Sequence, residues 1–360
     1  MSGELGFDNI RSCLDAAGTG YRTLSVGDNA QLLAMEYGGH VLGPFVDGGD
    51  SLPWLNANAF RTSDTLRAFV QDRNWNVGGD RVWVSPEIRF HVKDRARFWE
   101  TLALPETIDP GLGDVRIVSN GNEQKPVLSV EREIATITDH QTGNEVRDLT
   151  IRMDFEQCAD PLRTLDEPGL RGSVTFAGYR NNIRFELSEP GEVECEPWVL
   201  LQVWPGGQAL IPVIGDATFS DYFEESAQPE SDLQNQVLSF GVSGQRRYKA
   251  GIKSLHSVGR FGYLRKVNDE MSSLVVRSFM NNPSYEYLEE PPAVPQDRGY
   301  SIHVVDDGGS FGGFGEVEWS GCSLGGRMGT RVSVNDSFTW WYYGDHDSIQ
   351  TAAHLLVGKS

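Results

Sequence analysis

Residues 145–156 read Glu-Val-Arg-Asp-Leu-Thr-Ile-Arg-Met-Asp-Phe-Glu. Leu149, Ile151, Met153 and Phe155 fall at every second position, with polar or charged residues between them. A period of two is the period of a β-strand with one buried face; it cannot put these side chains on one side of a helix. Outward from this stretch the same reading repeats. Residues 127–139 alternate in the same way, and 173–187 read as two strands about a turn at Asn181-Asn182. Residues 198–204 and 209–214 flank Pro205-Gly206-Gly207-Gln208, a hairpin signal. Short strand-like runs continue to Phe338–Tyr343 at spacings of about 8–15 residues, the pattern of an all-β sandwich or barrel.

Helix signals are few: 8–17 with Asp8 as cap, single turns at 60–67 and 94–101, and 347–357 with Ile349, Ala353 and Leu356 on one face. Helix is expected below about 15%, against the usual roughly 30–35%. Residues 158–172, 221–235 and 283–299 read as long loops. No repeat or clean boundary divides the chain, so one all-β domain is expected over 1–360, with a helical N-terminal extension at 1–20.

The chain has 360 residues and a formal charge of −20, from 31 Lys and Arg against 51 Asp and Glu. That field repels phosphate backbones and anionic lipid, so neither nucleic acid nor a membrane surface is an expected partner. No run of about 18 apolar residues is present to span a bilayer. Residues 1–9 lack the basic and apolar regions of a signal peptide. The cysteines at 13, 158, 195 and 322 are too dispersed for a disulfide framework or a zinc site. Together these features point to a cytoplasmic protein with reduced thiols. The glycine-rich run 308–315 lacks the spacing of a dinucleotide loop and no helix follows it, and no metalloprotease, kinase or calcium-loop pattern occurs. The sequence calls for no cofactor and no metal.

Three clusters carry candidate chemistry. In Asn74-Trp-Asn-Val-Gly-Gly-Asp-Arg-Val-Trp-Val-Ser-Pro-Glu87, strand alternation puts Arg81, Trp83, Ser85 and Glu87 on one face. A guanidinium, an indole and a carboxylate together suit a polyhydroxylated ring: the indole stacks on its apolar face and the charged groups bond its hydroxyls. Asn76 and Asp80 belong to the same segment. Glu316 and Glu318 share a strand face, where a carboxylate over a cleft serves as a general base. His303 lies on a nearby strand and can pair with either. Gln202 and Trp204 form a polar–aromatic patch, and His40 follows Gly38-Gly39.

The ordered set GGHVLGPF (38–45), NWNVGGDRVWVSPE (74–87), WVLLQVWPGGQALIPV (198–213), YKAGIKSLHSVGRFGYLR (248–265), LVVRSFMNNPSYEYLEEPP (274–292), FGEVEW (314–319) and WWYYGD (340–345) resembles the bacterial relatives of aldose 1-epimerase in the galactose mutarotase-like group. The resemblance runs from Ala30 to the C-terminus. It implies an antiparallel β-supersandwich with a concave carbohydrate face. It also implies a late strand Glu as base at the anomeric hydroxyl, which Glu318, or else Glu316, fits, and sugar contacts from Arg81 with His40. No Asn-His-Thr-type strand supplies the family's central acid; the corresponding region holds Arg180-Asn181-Asn182 or Trp198 to Trp204. The expected ligand is a mono- or oligosaccharide. The expected activity is anomeric epimerisation, with glycoside cleavage or plain sugar binding as the alternatives on the same cleft.

Overall fold

The structure is a computed structural model that describes residues 5–119, 125–165, 170, 173–223 and 230–358. Strand makes up 48% of the chain and helix 14%. Two ten-stranded sheets, antiparallel throughout, form the molecule. The first runs Tyr21–Gly27, Ala30–Met35, Val41–Val46, Asp80–Ser85, Glu194–Val203, Gly315–Ser320, Tyr300–Asp307, Arg247–Lys253, Phe219–Asp221, with Leu324–Gly325 paired to one end of Glu194–Val203. The second runs Ser231–Gln234, Val237–Val242, Gly207–Pro212, Arg260–Lys266, Met271–Phe279, Val332–Asp345, Val174–Leu187, Glu145–Gln157, Pro126–Thr138, Asp114–Ser119.

The alternation read from 145–156 is the packing between these sheets. Leu149, Ile151, Met153 and Phe155 are all buried, and they join one core with Val82, Val84, Val199, Leu201, Val317 and Trp319 of the first sheet. On the first sheet the intervening positions, Arg81, Leu200, Gln202, Glu316 and Glu318, face the other way. One sheet thus supplies a core with one face and a polar floor with the other. Residues 78 and 79 must be glycine for this to happen. At φ +104° and +83°, a Cβ would sit 2.6 Å from the Trp54 carbonyl and 2.4 Å from that of Val41.

Two turn expectations fail, and pairing explains both. Val174–Leu187 is one unbroken strand, laddered to Glu145–Gln157 and Val332–Asp345 through Asn181 and Asn182, so no turn forms there. Pro205-Gly206 does not close a hairpin: Glu194–Val203 pairs within the first sheet and Gly207–Pro212 within the second. The segment is a crossing between layers. Period two identifies a strand without identifying its partner.

The helices sit at the margins. Phe7–Ala17 packs Ile10, Cys13 and Leu14 against Met35, Phe45, Phe60 and Leu66; Gly6, not Asp8, holds the cap position. The turn expected at 60–67 is the helix Ser63–Gln71, capped by Thr62. Residues 94–101 are a 3-10 turn, Arg95–Arg97, leading into Phe98–Thr101. His346–Val357 is capped by Asp345 and buries Ile349, Ala353 and Leu356. No helix among the described residues is long and apolar enough to cross a membrane. Of the expected loops, 166–169, 171–172 and 224–229 lie outside the described residues. Within 221–235 a strand, Ser231–Gln234, replaces the loop reading. Residues 283–299 hold no strand.

One buried ion pair joins the sheets. Arg277, on Met271–Phe279, directs both terminal nitrogens at the Asp80 carboxylate, Nη1 at 3.2 Å, and Tyr179 donates to the same group at 3.3 Å. Both partners are inaccessible to solvent. Asp80→Ala leaves Arg277 charged and unpaired in the core, so a loss of about 3–5 kcal/mol is expected in urea unfolding. Glu186→Ala breaks a pair with Arg184 in which the side chains are 46% and 42% exposed, so its cost stays below about 1 kcal/mol. Equal costs for the two would contradict this reading of the sheet interface.

Candidate functional site

Register places the side chains of the floor in rows across the first sheet. Arg81, Leu200, Glu318 and His303 are successive cross-strand partners, as are Gln202, Glu316, Val305 and Lys249 in the next row. Trp83 pairs with Trp198 in a third. A cavity of about 270 Å³ opens over these rows, lined by Arg81, Trp83, Glu87, Glu316, Glu318, Lys249 and the rings of Trp75, Trp99, Trp198, Phe311 and Phe314, among others.

The floor is a compensated charge cluster. Arg81 donates from Nη2 to Glu316 Oε1 at 2.6 Å, with its guanidinium 4.5 Å from the Trp83 ring centre and 5.3 Å from that of Trp75. Lys249 donates to Glu87 Oε2 at 2.8 Å and stands 3.9 Å from Glu318 Oε2 and 4.2 Å from the centre of Trp198. Burial alone would lower the Lys249 ammonium, but Glu87, Glu318 and Glu289 together hold it above its ordinary value. Glu318, 1% exposed, accepts from Trp198 Nε1 at 2.8 Å. Burial, with repulsion from Glu316 and Glu87, lifts its carboxyl well above the usual range against the pull of Lys249. Glu318 Oε1 and Arg81 Nε and Nη1 are buried with no hydrogen-bond partner.

The strand ends at Ser85, so Glu87 reaches the cavity from the first residue of the helical turn Glu87–Phe90. Beneath it lies a second carboxyl group of residues. Glu289 accepts from the Glu87 amide at 2.6 Å and from Ser85 Oγ at 3.0 Å, and Ser85 also lies 3.3 Å from Glu196. Burial raises Glu289 to about 7 and Glu196 to about 8.

Six residues named in the sequence reading lie outside the lining of this cavity. Asp80 faces the core, on the opposite side of its strand from Arg81. His40 is buried, with Nδ1 against the Gly78 carbonyl at 2.9 Å and Nε2 against Asp109 at 2.9 Å; Asp109 accepts from Trp83 Nε1 at 2.8 Å. His40 therefore buttresses the Trp83 indole from behind. Asn76 donates to the Phe311 carbonyl at 2.6 Å and accepts from Gln202 at 3.0 Å, so this pair holds the cavity's Phe311 loop. Trp204 donates to Ser51 O at 3.3 Å, outside the lining. His303 lies beside Glu318, with Nδ1 3.8 Å from Oε2, enclosed by Tyr222 and Tyr300. Burial and Lys249 push it well below its ordinary value, so it is a neutral ring beside Glu318 in the same row, outside the cavity lining.

Other residues of the lining have no signal in the sequence. Lys249 reads as a solvated lysine until register sets it among carboxylates. Asp307 organises the glycine-rich run: its two oxygens accept from the amides of Gly309, Phe311, Gly313 and Phe314 at 2.9–3.0 Å, which turns Phe311 and Phe314 into the cavity. His91 lines the cavity against Trp83 and Trp198, its Nε2 unpartnered. Burial lowers it to about 4. No group of three or more His, Cys, Asp or Glu is arranged to hold a metal ion among the described residues.

No protein-family profile and no curated protein sequence matches the chain. Solved structures similar to it include a candidate aldose 1-epimerase from Escherichia coli K12, with TM-score 0.47 at 12% identity, covering 91% of this chain and 100% of that one. The Slr1438 protein from Synechocystis sp. PCC 6803 has TM-score 0.47 at 11% identity and coverages of 91% and 96%. A galactose mutarotase-like protein from Lactobacillus casei ATCC 334 has TM-score 0.43 at 8% identity and coverages of 91% and 100%.

Proposed function

We propose that the cavity binds a free aldose and interconverts its anomers. The observation that carries the reading is the pair Glu316 and Glu318: two carboxyls on one strand face, in unlike environments, on the floor of an indole-walled cavity. Glu316 accepts a hydrogen bond from Arg81 Nη2 at 2.6 Å and leaves its second oxygen to face a ligand. Glu318 is buried, which favours its neutral, proton-holding form, and one of its oxygens is unpartnered. Two neighbouring carboxyls in unlike surroundings allow a site to assign one as acid and the other as base.

The chemistry balances with these two groups alone. Glu316 removes the proton of the anomeric hydroxyl as the bond from the anomeric carbon to the ring oxygen breaks. Glu318 protonates that ring oxygen as it leaves. The open-chain aldehyde rotates about its first carbon–carbon bond and closes with the two roles reversed, which restores both groups. Trp83 and Trp75 stack on the apolar face of the ring, and Arg81 donates its unpartnered N–H groups to sugar oxygens. This reading assigns the base to Glu316 and the acid to Glu318, the second of the two choices open in the sequence.

Glu316→Gln and Glu318→Gln should each retain sugar binding by calorimetry and slow anomer interconversion, followed by polarimetry, by about 10²–10⁴-fold. Arg81→Ala should instead weaken binding, since it removes forked donors. If both glutamine variants bind normally and no aldose interconverts faster than in buffer with the wild type, the cavity is a binding site without turnover.

The rate should fall as pH rises through the Glu318 titration, which lies above the ordinary carboxyl range because burial favours the neutral acid. Activity is held on the acid side of that titration, where the proton is present, for as long as the partner carboxyl stays ionised. Glu318→Gln should abolish this alkaline limb in the residual rate. An alkaline limb unchanged in that variant would remove Glu318 from the acid role.

A further inference from the structure

The cavity has two aromatic clusters, and the chemistry above uses one. The inner cluster joins Trp75, Trp83, Trp198 and Phe311, with ring centres 5.4–6.1 Å apart in sequence of contact. The outer cluster joins Phe98, Trp99 and Phe223, with Trp99 4.7 Å from Phe223 and 5.0 Å from Phe98. The Arg247 guanidinium lies 3.9 Å from the Trp99 ring centre. Trp99, Phe223 and Arg247 line the same cavity as Glu316 and Glu318. No ring–ring contact joins the two clusters among the described residues. Trp99 is 38% exposed.

Resting on the proposed aldose site, we infer that the outer cluster is a second sugar subsite, so that the substrate class is a neutral reducing disaccharide or longer oligosaccharide. Its reducing unit sits over Glu316 and Glu318 and the next unit stacks on Trp99. Register supports the spacing. Arg247 lies one row beyond Lys249 and two strands from Glu316, which at about 7 Å per two residues and about 4.8 Å per strand separates the backbones by roughly 12 Å. A ring held with its anomeric end at the carboxyls has room to extend its far end to that platform. An indole with a guanidinium over one face and two rings against its edges leaves its other face to stack on a sugar ring, with the guanidinium beside it for hydroxyls. Charge argues for a neutral second unit: Arg81, Lys249 and Arg247 in the lining nearly cancel Glu87, Glu316, Glu318 and Asp307.

The test is calorimetric titration with glucose and galactose against maltose, cellobiose and lactose, on the wild type, Trp99→Ala and Trp99→Phe. The wild type should bind at least one disaccharide more tightly than either monosaccharide. Trp99→Ala should weaken that disaccharide by about tenfold and leave the monosaccharide constants unchanged, while Trp99→Phe recovers most of the loss. Unfolding midpoints should match, since Trp99 lies outside the core. Disaccharides that bind no better than monosaccharides, or a Trp99→Ala loss equal for both, would overturn the second subsite and leave the aldose site standing. Binding of no sugar by the wild type would overturn both.

Discussion

Strand Asp80–Ser85 buries a charge on each of its faces, and both halves of the molecule are organised around satisfying them. Alternation sends neighbouring side chains in opposite directions, so Asp80 enters the core and Arg81 enters the cavity. An ion without a partner in either place is costly, so each side chain fixes a counterpart on another strand. Asp80 fixes Arg277 and thereby the second sheet. Arg81 fixes Glu316 and thereby the strand that also carries Glu318. The arrangement is weak evidence for high stability and stronger evidence for a specific register, because a one-residue slip would exchange the two charges between core and cavity.

The cavity extends the same principle. Lys249 is enclosed by Glu87 and Glu318, with Trp198 beneath its ammonium and beside the Glu318 carboxyl. Compensation is incomplete by design of the surroundings: Glu318 has one oxygen and Arg81 two nitrogens that no protein group meets. Such atoms are expensive in an interior and cheap in a site that closes on a polar ligand. The aromatic walls exclude water around them, which strengthens each charged contact and favours the neutral acid at Glu318.

Much of this was legible in the residues, and what was not has a common cause. The strands of 127–139 and 145–156 were legible because one face must be apolar, and the shared faces of Arg81 with Trp83 and of Glu316 with Glu318 followed from period two alone. Partners were not legible. Asn181-Asn182 and Pro205-Gly206 carry turn chemistry, yet one lies inside a double ladder and the other crosses between sheets. The same limit hid Lys249, which becomes part of the site only through its row with Val305 and Glu316. It also hid the partner of His40, whose ring meets Asp109, the acceptor of the Trp83 indole. Asp307 was hidden for a different reason, since it acts on backbone amides, which every sequence has.

The most direct measurement is a crystal structure of the protein with a free aldose bound. The account predicts the sugar ring against Trp83 and Trp75, with the anomeric oxygen within about 2.6–3.2 Å of a Glu316 oxygen and the ring oxygen equally close to Glu318. A sugar bound with its anomeric carbon turned away from both carboxyls, or bound outside this cavity, would contradict it.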